Sequence, residues 1–153
     1  ENIVSGVVSE FKSEAAKKNV IVEYQKPASP LLEVLADVGK LRSVVQNLLD
    51  NAVRYTLSGG RIVVKVEAEE ERVKVTVQDS GIGIPDAERS KLFKRFFRAS
   101  NAIKLRPDGS GLGLFITKQV IEAHEGILTF QSVESEGTSF SFTLPTLRKV
   151  SGV

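Results

Sequence analysis

The stretch "VKVTVQDSGIGIP", residues 73–85, joins a segment of alternating valines to an aspartate and two glycines. Val73, Val75 and Val77 alternate with polar residues, and this period of two predicts a β-strand with one face in the core. Asp79 falls on the same face, so its carboxylate is expected to point toward the core side. A carboxylate there is unfavourable unless donors reach it, and leaving it unpaired costs about 1–3 kcal/mol or more. Asp79 is therefore a candidate acceptor for a donor on a ligand.

The glycines after this strand have two interpretations. Gly81 and Gly83 lack a Cβ, so the backbone here can approach a flat ligand or can simply make a turn. Asp-Ser-Gly is common turn chemistry, and the motif taken alone is better explained as a turn. A binding site at this place needs supporting elements elsewhere in the chain.

The first half of the chain predicts helices and strands in alternation. Apolar residues at helical spacing predict a helix near the start, followed by the strand "NVIVEY" and a second strand, "LLEVLA". Asp37 is expected to cap a helix that ends at "LSGG". The segments "RIVVKVEA" and "RVKVTVQD" then predict a hairpin of two alternating strands.

The second half predicts two more helices and a second hairpin. The segment "PDAERSKLFKRFF" predicts a short helix begun by Pro85, and "GSGLGLFITKQVIEAHEG" predicts a helix stopped at Gly126. A hairpin of "ILTFQSV" and "GTSFSFTLP" closes the chain. Together these elements predict an α/β (α+β) two-layer sandwich, in which a mixed, mostly antiparallel sheet carries its helices on one face.

Length and composition limit the classes of function. The 153 residues are expected to form one domain, 1–153, and a chain without methionine that begins with Glu1 is expected to be part of a longer protein. No apolar run approaches the roughly 20 residues of a membrane span. The absence of cysteine excludes disulfides and thiolate metal sites and suits a cytoplasmic location. A net charge of +2, spread over both halves, argues against nucleic-acid binding.

A second glycine cluster supports a ligand site. Gly109, Gly111 and Gly113 lie where an aperiodic stretch becomes a helix, so backbone N–H groups and the helix dipole converge there. Such a place suits a phosphate. The spacing matches neither the P-loop nor the dinucleotide fingerprint, and both of those interpretations are rejected.

The helix capped by Asp37 carries polar residues at the edge of its apolar stripe. At about 100° per residue, Asn51 lies roughly 60° from Leu48, and Tyr55 lies on the same side. Asn47 and Arg54 lie just beyond. A carboxamide oxygen in such a position can complete the oxygen shell of Mg²⁺, while phosphates and water supply the rest. The alternative is an asparagine that merely solvates the flank of a helix.

The aperiodic segment before the second glycine cluster has the length of a functional loop. It runs from Arg98 to about residue 110 and carries Lys104 and Arg106, whose charges suit a triphosphate. We refer to residues 98–110 as the lid. Three phenylalanines before it are expected to pin the end of a helix to the core: Phe93, Phe96 and Phe97.

Five motifs in order resemble the ATP-binding catalytic domain of sensor histidine kinases. They are "NLLDNAVRYT", "DSGIGIP", "KLFKRFFR", "GSGLGLFI" and "EGTSFSFTLP". This group is a branch of the GHKL superfamily, together with gyrase, heat-shock chaperone and mismatch-repair ATPases. The resemblance covers nearly the whole chain and implies the Bergerat-type ATP-binding sandwich.

The resemblance also implies roles for individual residues. Asp79 would accept a hydrogen bond from the adenine amino group, Asn51 would bind Mg²⁺, and Asn47 and Arg54 would approach the phosphates of ATP as catalytic residues. Tyr55 would border the base. The complete implied nucleotide-binding set is Asn47, Asn51, Arg54, Tyr55, Asp79, Gly81, Gly83, Ile84, Arg98, Gly109, Ser110, Gly111, Leu112, Gly113, Leu114 and Thr138.

Asn47 separates a phosphotransferase from a hydrolase. The hydrolases of the superfamily typically carry Glu one turn before the metal-binding Asn, whereas an amide at this place cannot take a proton. A positioned general base is worth about 10²–10⁴ in rate. Asp50 lies about 100° round the helix from Asn51 and is expected to face solvent. An imidazole acceptor needs less activation because it is already nucleophilic when neutral.

The histidine that accepts the phosphoryl group is not expected within this chain. His124 lies about 18 Å along its helix from the glycines, which is too far, and is expected to complement the helix dipole. The resemblance implies an acceptor histidine on a separate dimerisation domain of the same protein and a response regulator downstream. The isolated domain is expected to be monomeric and unable to phosphorylate itself. An ATPase-driven clamp and a non-catalytic module remain as alternatives.

Overall fold

The structure is a computed structural model that describes residues 1–147. The last six residues of the predicted domain, 148–153, lie outside the described residues. No helix in the described part of the chain is long and apolar enough to cross a membrane.

The centre of the structure is a five-stranded sheet with the strand order β1-β2-β3-β5-β4. Its strands are β1 (Ile21–Gln25), β2 (Arg61–Glu69), β3 (Arg72–Asp79), β4 (Ile127–Val133) and β5 (Gly137–Pro145). Strand β1 pairs with β2 in parallel, and the other three pairings are antiparallel. The predicted mixed, mostly antiparallel sheet is confirmed.

Helices cover one face of this sheet. They are α1 (Asn2–Lys17), α2 (Val38–Tyr55) and α4 (Gly113–Ala123), while α3 (Ser100–Leu105) and a 3₁₀ helix (Asp86–Lys91) lie in the segment that precedes α4. The buried side chains alternate along the central strands, as in Val73, Val75 and Val77 of β3. This alternation places one face of the sheet against the helices, and the two-layer sandwich is confirmed.

The N-terminus of helix α2 forms as predicted. The side chain of Asp37 accepts a hydrogen bond of 2.9 Å from the backbone N–H of Lys40, which satisfies one of the free donors of the first turn. Leu48 and Leu49 are fully buried on the apolar stripe of the helix. Asn47 and Asn51 lie at one edge of this apolar stripe. The helix that packs into the core therefore also carries these two amides at its rim.

The predicted strand "LLEVLA" is wrong. Residues 31–36 have no regular secondary structure and form part of the connection from β1 to α2. Leu32 and Leu35 are exposed, whereas Leu31 and Val34 pack against the core. The apolar residues of this run therefore reflect a loop that packs only partly, and a parallel pair such as β1 and β2 needs a crossover here.

The helix predicted from Pro85 is also shorter than expected. It forms only the 3₁₀ helix Asp86–Lys91, and turns follow as far as Phe96. Phe93 packs edge-on against Phe130, with ring centroids 5.5 Å apart. The chain then bends, because Phe96 has a φ of 64° and donates its N–H to the carbonyl of Gly111. Phe96 is 68% exposed, so the prediction that it pins a helix to the core is wrong.

Candidate functional site

A cavity of about 230 Å³ opens between α2, the start of α4, the lid and the ends of β3 and β5. Fourteen of the sixteen residues in the predicted nucleotide-binding set line it: Asn47, Asn51, Arg54, Tyr55, Asp79, Gly83, Ile84, Arg98, Gly109, Ser110, Gly111, Gly113, Leu114 and Thr138. Gly81 and Leu112 do not line it. The motifs that are far apart in sequence therefore converge on one place.

Asp79 is the last residue of β3, and only one oxygen of its carboxylate accepts hydrogen bonds from the described residues. Its Oδ1 accepts hydrogen bonds from the backbone N–H groups of Gly81, at 2.8 Å, and Thr138, at 3.2 Å. No residue in the range 1–147 donates to Oδ2. Burial raises the pKa of Asp79 to about 6, although the two N–H donors favour the charged form. The carboxylate is therefore a half-satisfied acceptor on the cavity wall.

Buried hydroxyl groups support the wall beside Asp79. The hydroxyl oxygens of Thr138 and Ser132 lie 2.8 Å apart, and Ser132 Oγ also accepts the backbone N–H of Ile84 at 2.9 Å. Both side chains are less than 10% exposed. Ser132 was not among the predicted site residues. It occupies a buried position of β4, and a polar residue at a buried strand position could have indicated a site.

The first glycine pair allows close packing of protein backbone. A Cβ on Gly81 would lie 2.4 Å from the carbonyl oxygen of Tyr55, and one on Gly83 would lie 2.0 Å from that of Val133. Gly83 also has a φ of 64°, which other residues rarely adopt. Gly81 was expected to shape the cavity wall. It instead lies behind the wall and supplies an N–H to Asp79.

Helix α2 presents its two asparagines to the cavity in different states. Asn47 Nδ2 donates a hydrogen bond of 2.8 Å to the buried hydroxyl of Thr117 on α4. The side chain of Asn51 has no hydrogen-bond partner among the residues that the structure describes. Asn51 is therefore free to offer its carboxamide oxygen to a ligand or an ion.

Asp50 was expected to face solvent, and its side chain is 43% exposed, which agrees with this expectation. It reaches the edge of the cavity, where Arg54 lies 3.3 Å from its carboxylate. Arg54 also lies 3.5 Å from Asp108 at the end of the lid. Residues i and i+4 on a helix face each other, which explains why Asp50 follows Arg54 to the cavity. The acid is thus paired with a cation instead of solvated alone.

The second glycine cluster brings the start of α4 against α2. A Cβ on Gly113 would lie 2.3 Å from Oδ1 of Asn47, and one on Gly111 would lie 2.6 Å from the backbone of Phe96. Leu112 precedes the helix and provides no side-chain cap. The first N–H groups of α4 therefore lie beside the amides of α2, at a helix end that favours anions.

The lid is more ordered than its aperiodic sequence predicts. Residues Ser100–Leu105 form helix α3, which is too short to show helical periodicity. The guanidinium of Arg98 donates to the carbonyl of Pro107 at 2.9 Å and to that of Arg106, and it contacts the hydroxyl of Tyr55 at 3.4 Å. Arg98 thus ties the end of the lid back to the cavity.

His124 lies at the opposite end of α4 from the cavity and joins two helices. Its Nε2 accepts the backbone N–H of Asp37 at 3.0 Å, and its Nδ1–H donates to the carbonyl of Val120 at 2.7 Å. His124 was expected to complement the helix dipole, and this hydrogen bond to a carbonyl of the last turn agrees with that expectation. The ring also links the end of α4 to the start of α2.

Eight residues that line the cavity were not among the predicted site residues: Asp50, Ile82, Leu92, Phe97, Ala99, Asn101, Ala102 and Phe140. Ile82 and Phe140 stand within or beside the quoted motifs, and Phe140 follows the buried parity of β5. Asn101 and Ala102 belong to α3, and Ala99 immediately precedes it. Nothing in the sequence of an apparently aperiodic loop distinguished them.

The described residues contain no group of three or more His, Cys, Asp or Glu that could hold a metal ion. The free amide of Asn51 does fit a metal whose other ligands come from phosphates and water.

Comparison with known proteins identifies the family. Residues 36–148 match the family model described as "Histidine kinase-, DNA gyrase B-, and HSP90-like ATPase". The chain belongs to this ATPase family. The predicted family membership is therefore confirmed.

Within this family, the chain is similar to sensor histidine kinases. It is 40% identical over 116 residues to the sensor histidine kinase WalK of Bacillus subtilis (strain 168), a match that covers 74% of the chain and 19% of WalK. The mycobacterial sensor histidine kinase MprB has a solved structure with a TM-score of 0.81 and 30% identity, covering 94% of the chain and 93% of that structure.

A third similar structure contains histidine kinase ThkA in complex with the response regulator protein TrrA. Its kinase chain has a TM-score of 0.77 and 27% identity, covering 95% of this chain and 40% of that one. The chain thus spans only a fifth of WalK and less than half of ThkA.

Proposed function

We propose that this ATPase-family chain is the catalytic domain of a histidine kinase. It binds ATP with Mg²⁺ and transfers the γ-phosphoryl group to a histidine on a separate dimerisation domain of the same protein. Residues 1–153 would form one cytoplasmic domain, monomeric when isolated, with the lid at about 98–110. The downstream partner would be a response regulator, and the domain itself would contact neither nucleic acid nor membrane.

The observation that carries the nucleotide part is the free Oδ2 of Asp79. A carboxylate whose pKa is raised by burial offers a strong acceptor on the cavity wall, and the exocyclic amine of adenine is a matching donor. The site residues named above would then follow the nucleotide. Tyr55, Ile84 and Thr138 would lie near the base. The phosphates would lie near Asn47, Arg54, Arg98 and the second glycine cluster.

When bound, Mg²⁺ would neutralise phosphate charge during transfer. Asn51 would supply its carboxamide oxygen to the ion. Arg54 and Arg98 would offset the remaining negative charge, and Asn47 would sit beside the first turn of α4 without acting as a base. The chain's own task is therefore to position the nucleotide and exclude water, as phosphoryl transfer chiefly requires.

Two measurements test this proposal. Isothermal titration of the chain with ATP and Mg²⁺ is expected to show one binding site. Mixing the chain with the dimerisation helices of its parent and labelled ATP is expected to place the label on histidine. Absence of nucleotide binding would refute the whole proposal, whereas tight binding without transfer would favour a non-catalytic module.

A hydrolase is the second candidate, and the position of Asp50 is the observation in its favour. Asp50 is the one carboxylate besides Asp79 that lines the cavity within residues 1–147. The ion pair with Arg54, at 3.3 Å, makes it less suitable as a base, because the guanidinium occupies and holds the carboxylate. Steady release of phosphate by the isolated chain would support this candidate.

A further inference from the structure

The lid helix α3 has few apolar anchors. No residue of the helix is fully buried, and its large apolar side chains Ile103 and Leu105 are 45% and 38% exposed. Ala102 packs against the core, as does Ala99 just before the helix. A six-residue helix is too short to be stable by itself. Its position must therefore depend on specific polar contacts.

Asn101 supplies such a contact. Its Nδ2 donates to the carbonyl oxygen of Gly83 at 2.9 Å and, more weakly, to that of Ile82 at 3.4 Å. Its Oδ1 is buried and has no partner among the described residues. The orientation of the amide is unambiguous, because the opposite orientation would place an oxygen against two carbonyl oxygens.

The loop that receives this contact is held without Asn101. Ile82 donates its N–H to the carbonyl of Tyr55 at 3.1 Å and accepts the N–H of Ser135 at 2.7 Å. Ile84 donates its N–H to Ser132 at 2.9 Å. The loop is thus fixed to α2 and to the turn between β4 and β5. The hydrogen bonds of Asn101 therefore hold the lid to the loop and are not needed to hold the loop itself.

We propose that Asn101 is a positioning residue that holds α3 against the loop 82–84 and so keeps the lid over the nucleotide cavity. This rests on the proposed function, because it concerns the retention of a bound nucleotide. Ile82, Gly83 and Ile84 line the same cavity as Ala99 and Ala102, so this single amide joins two of its walls. Asn101 does not read the base, since its only free atom is buried.

The unpaired oxygen makes this role separable from overall stability. Replacing Asn101 by alanine removes two hydrogen bonds, but it also removes a buried oxygen that has no donor. We therefore expect little change in the melting temperature of the domain. Helix α3 is expected to loosen, because its other polar contact with the rest of the domain, among the described residues, is that of the Glu88 carboxylate with the N–H of Ser100, at 2.8 Å.

The first test is hydrogen exchange in the nucleotide-free chain. Asn101→Ala is expected to accelerate exchange of the Arg106 amide, which donates within the lid to Ala102, by about 3- to 10-fold. Asn101→Asp is expected to accelerate it further, because a carboxylate would face two carbonyl oxygens. Ile103→Ala, on the exposed side of the same helix, is the control and is expected to leave Arg106 protected. Equal exchange in all variants would overturn the proposal, as would faster exchange throughout the sheet.

The second test distinguishes an effect on how long the nucleotide stays bound from an effect on which base is selected. Asn101→Ala is expected to weaken ATP and ITP by the same factor, about 3- to 10-fold, through faster dissociation. In the kinase assembled with its acceptor, the KM for ATP should rise while kcat stays constant. A change in the ratio of ATP to ITP affinity would overturn the assignment. If the unaltered chain binds no ATP, the proposed function fails, whereas the exchange result still decides whether Asn101 holds the lid.

Discussion

The substitution Asp79→Asn is expected to reverse the polarity of the base site. Both backbone donors, Gly81 and Thr138, converge on Oδ1. In the variant, the amide oxygen must take this place, because an NH₂ group there would face two N–H donors. The NH₂ group is then left at the position of Oδ2. A carboxylate that is proposed to accept from adenine is thereby replaced by an amide that would donate toward it.

The two expected effects of this substitution have opposite signs. A hydrogen bond to a charged group contributes about 1.5–3 kcal/mol, so ATP binding should weaken by about 10- to 150-fold. The folded chain itself should become more stable at pH 7. Burial raises the pKa of Asp79 from 3.8 to about 6, which corresponds to a cost of roughly 3 kcal/mol for the charged form. Asparagine removes this cost.

The pH dependence of the stabilisation follows from the direction of this pKa shift. Because the folded pKa lies above the unfolded one, the cost of the charged form is absent below about pH 4 and fully present above about pH 6. The melting temperature of Asp79→Asn should therefore exceed that of the parent at pH 7–8, and the two should converge near pH 4.

Isothermal titration with ATP and ITP, together with thermal unfolding, checks these expectations. The 6-oxo group of ITP accepts a hydrogen bond, so Asp79→Asn should lose ATP affinity and gain ITP affinity relative to ATP. Asp86→Asn makes the same chemical change at a side chain that is 90% exposed, and it serves as the matched control. Unchanged ATP affinity in Asp79→Asn would refute the assignment of this acid to the base.

Three further predictions follow from the site. ATP affinity should fall as the pH drops through about 6, because the nucleotide binds the ionised form of Asp79. Binding near pH 6 should therefore release protons in proportion to the protonated fraction of Asp79, which titration in buffers of different ionisation enthalpy measures against Asp79→Asn. Asn51→Ala should abolish most of the gain in ATP affinity that Mg²⁺ provides while leaving metal-free binding nearly unchanged, and an equal Mg²⁺ effect in both proteins would contradict the metal role. Gly83→Ala should destabilise the fold by more than about 1 kcal/mol in thermal unfolding, since its Cβ would lie 2.0 Å from a carbonyl oxygen. Gly6→Ala is the control: Gly6 has open space around it in α1, so this substitution should stabilise the fold by up to about 1 kcal/mol.

The sequence predicted the parts of the site that repeat with a regular period. The parity of Val73, Val75 and Val77 correctly placed Asp79 beside the core, and the apolar stripe of α2 correctly placed Asn51 at its edge. These predictions succeeded because the strands and the long helix are stabilised by burial of one face. Periodicity reports that burial directly.

The errors lie where local pattern and tertiary packing disagree. The run from Leu31 to Ala36 resembles a strand but packs as a loop, and Phe96 is turned outward by a bend that its hydrogen bond to Gly111 stabilises. Helix α3 is shorter than two turns and packs through alanines, so it has no detectable period. Asp50 is solvent-exposed as expected, but helical angle alone did not predict its pairing with Arg54 at the edge of the cavity.

The two ends of the cavity are built in different ways, and this difference fits the proposed transfer of a phosphoryl group to a second domain. The base end consists of an acid held by backbone N–H groups, with buried hydroxyls behind it, so its geometry is set by the sheet. The phosphate end consists of side chains on α2 and the lid, where Arg54 is shared between Asp50 and Asp108. A rigid base end can select the nucleotide before any partner arrives, because its donors and acceptors need no rearrangement. A phosphate end held by exchangeable ion pairs can release those cations to the nucleotide and leave the terminal phosphate open to an incoming imidazole.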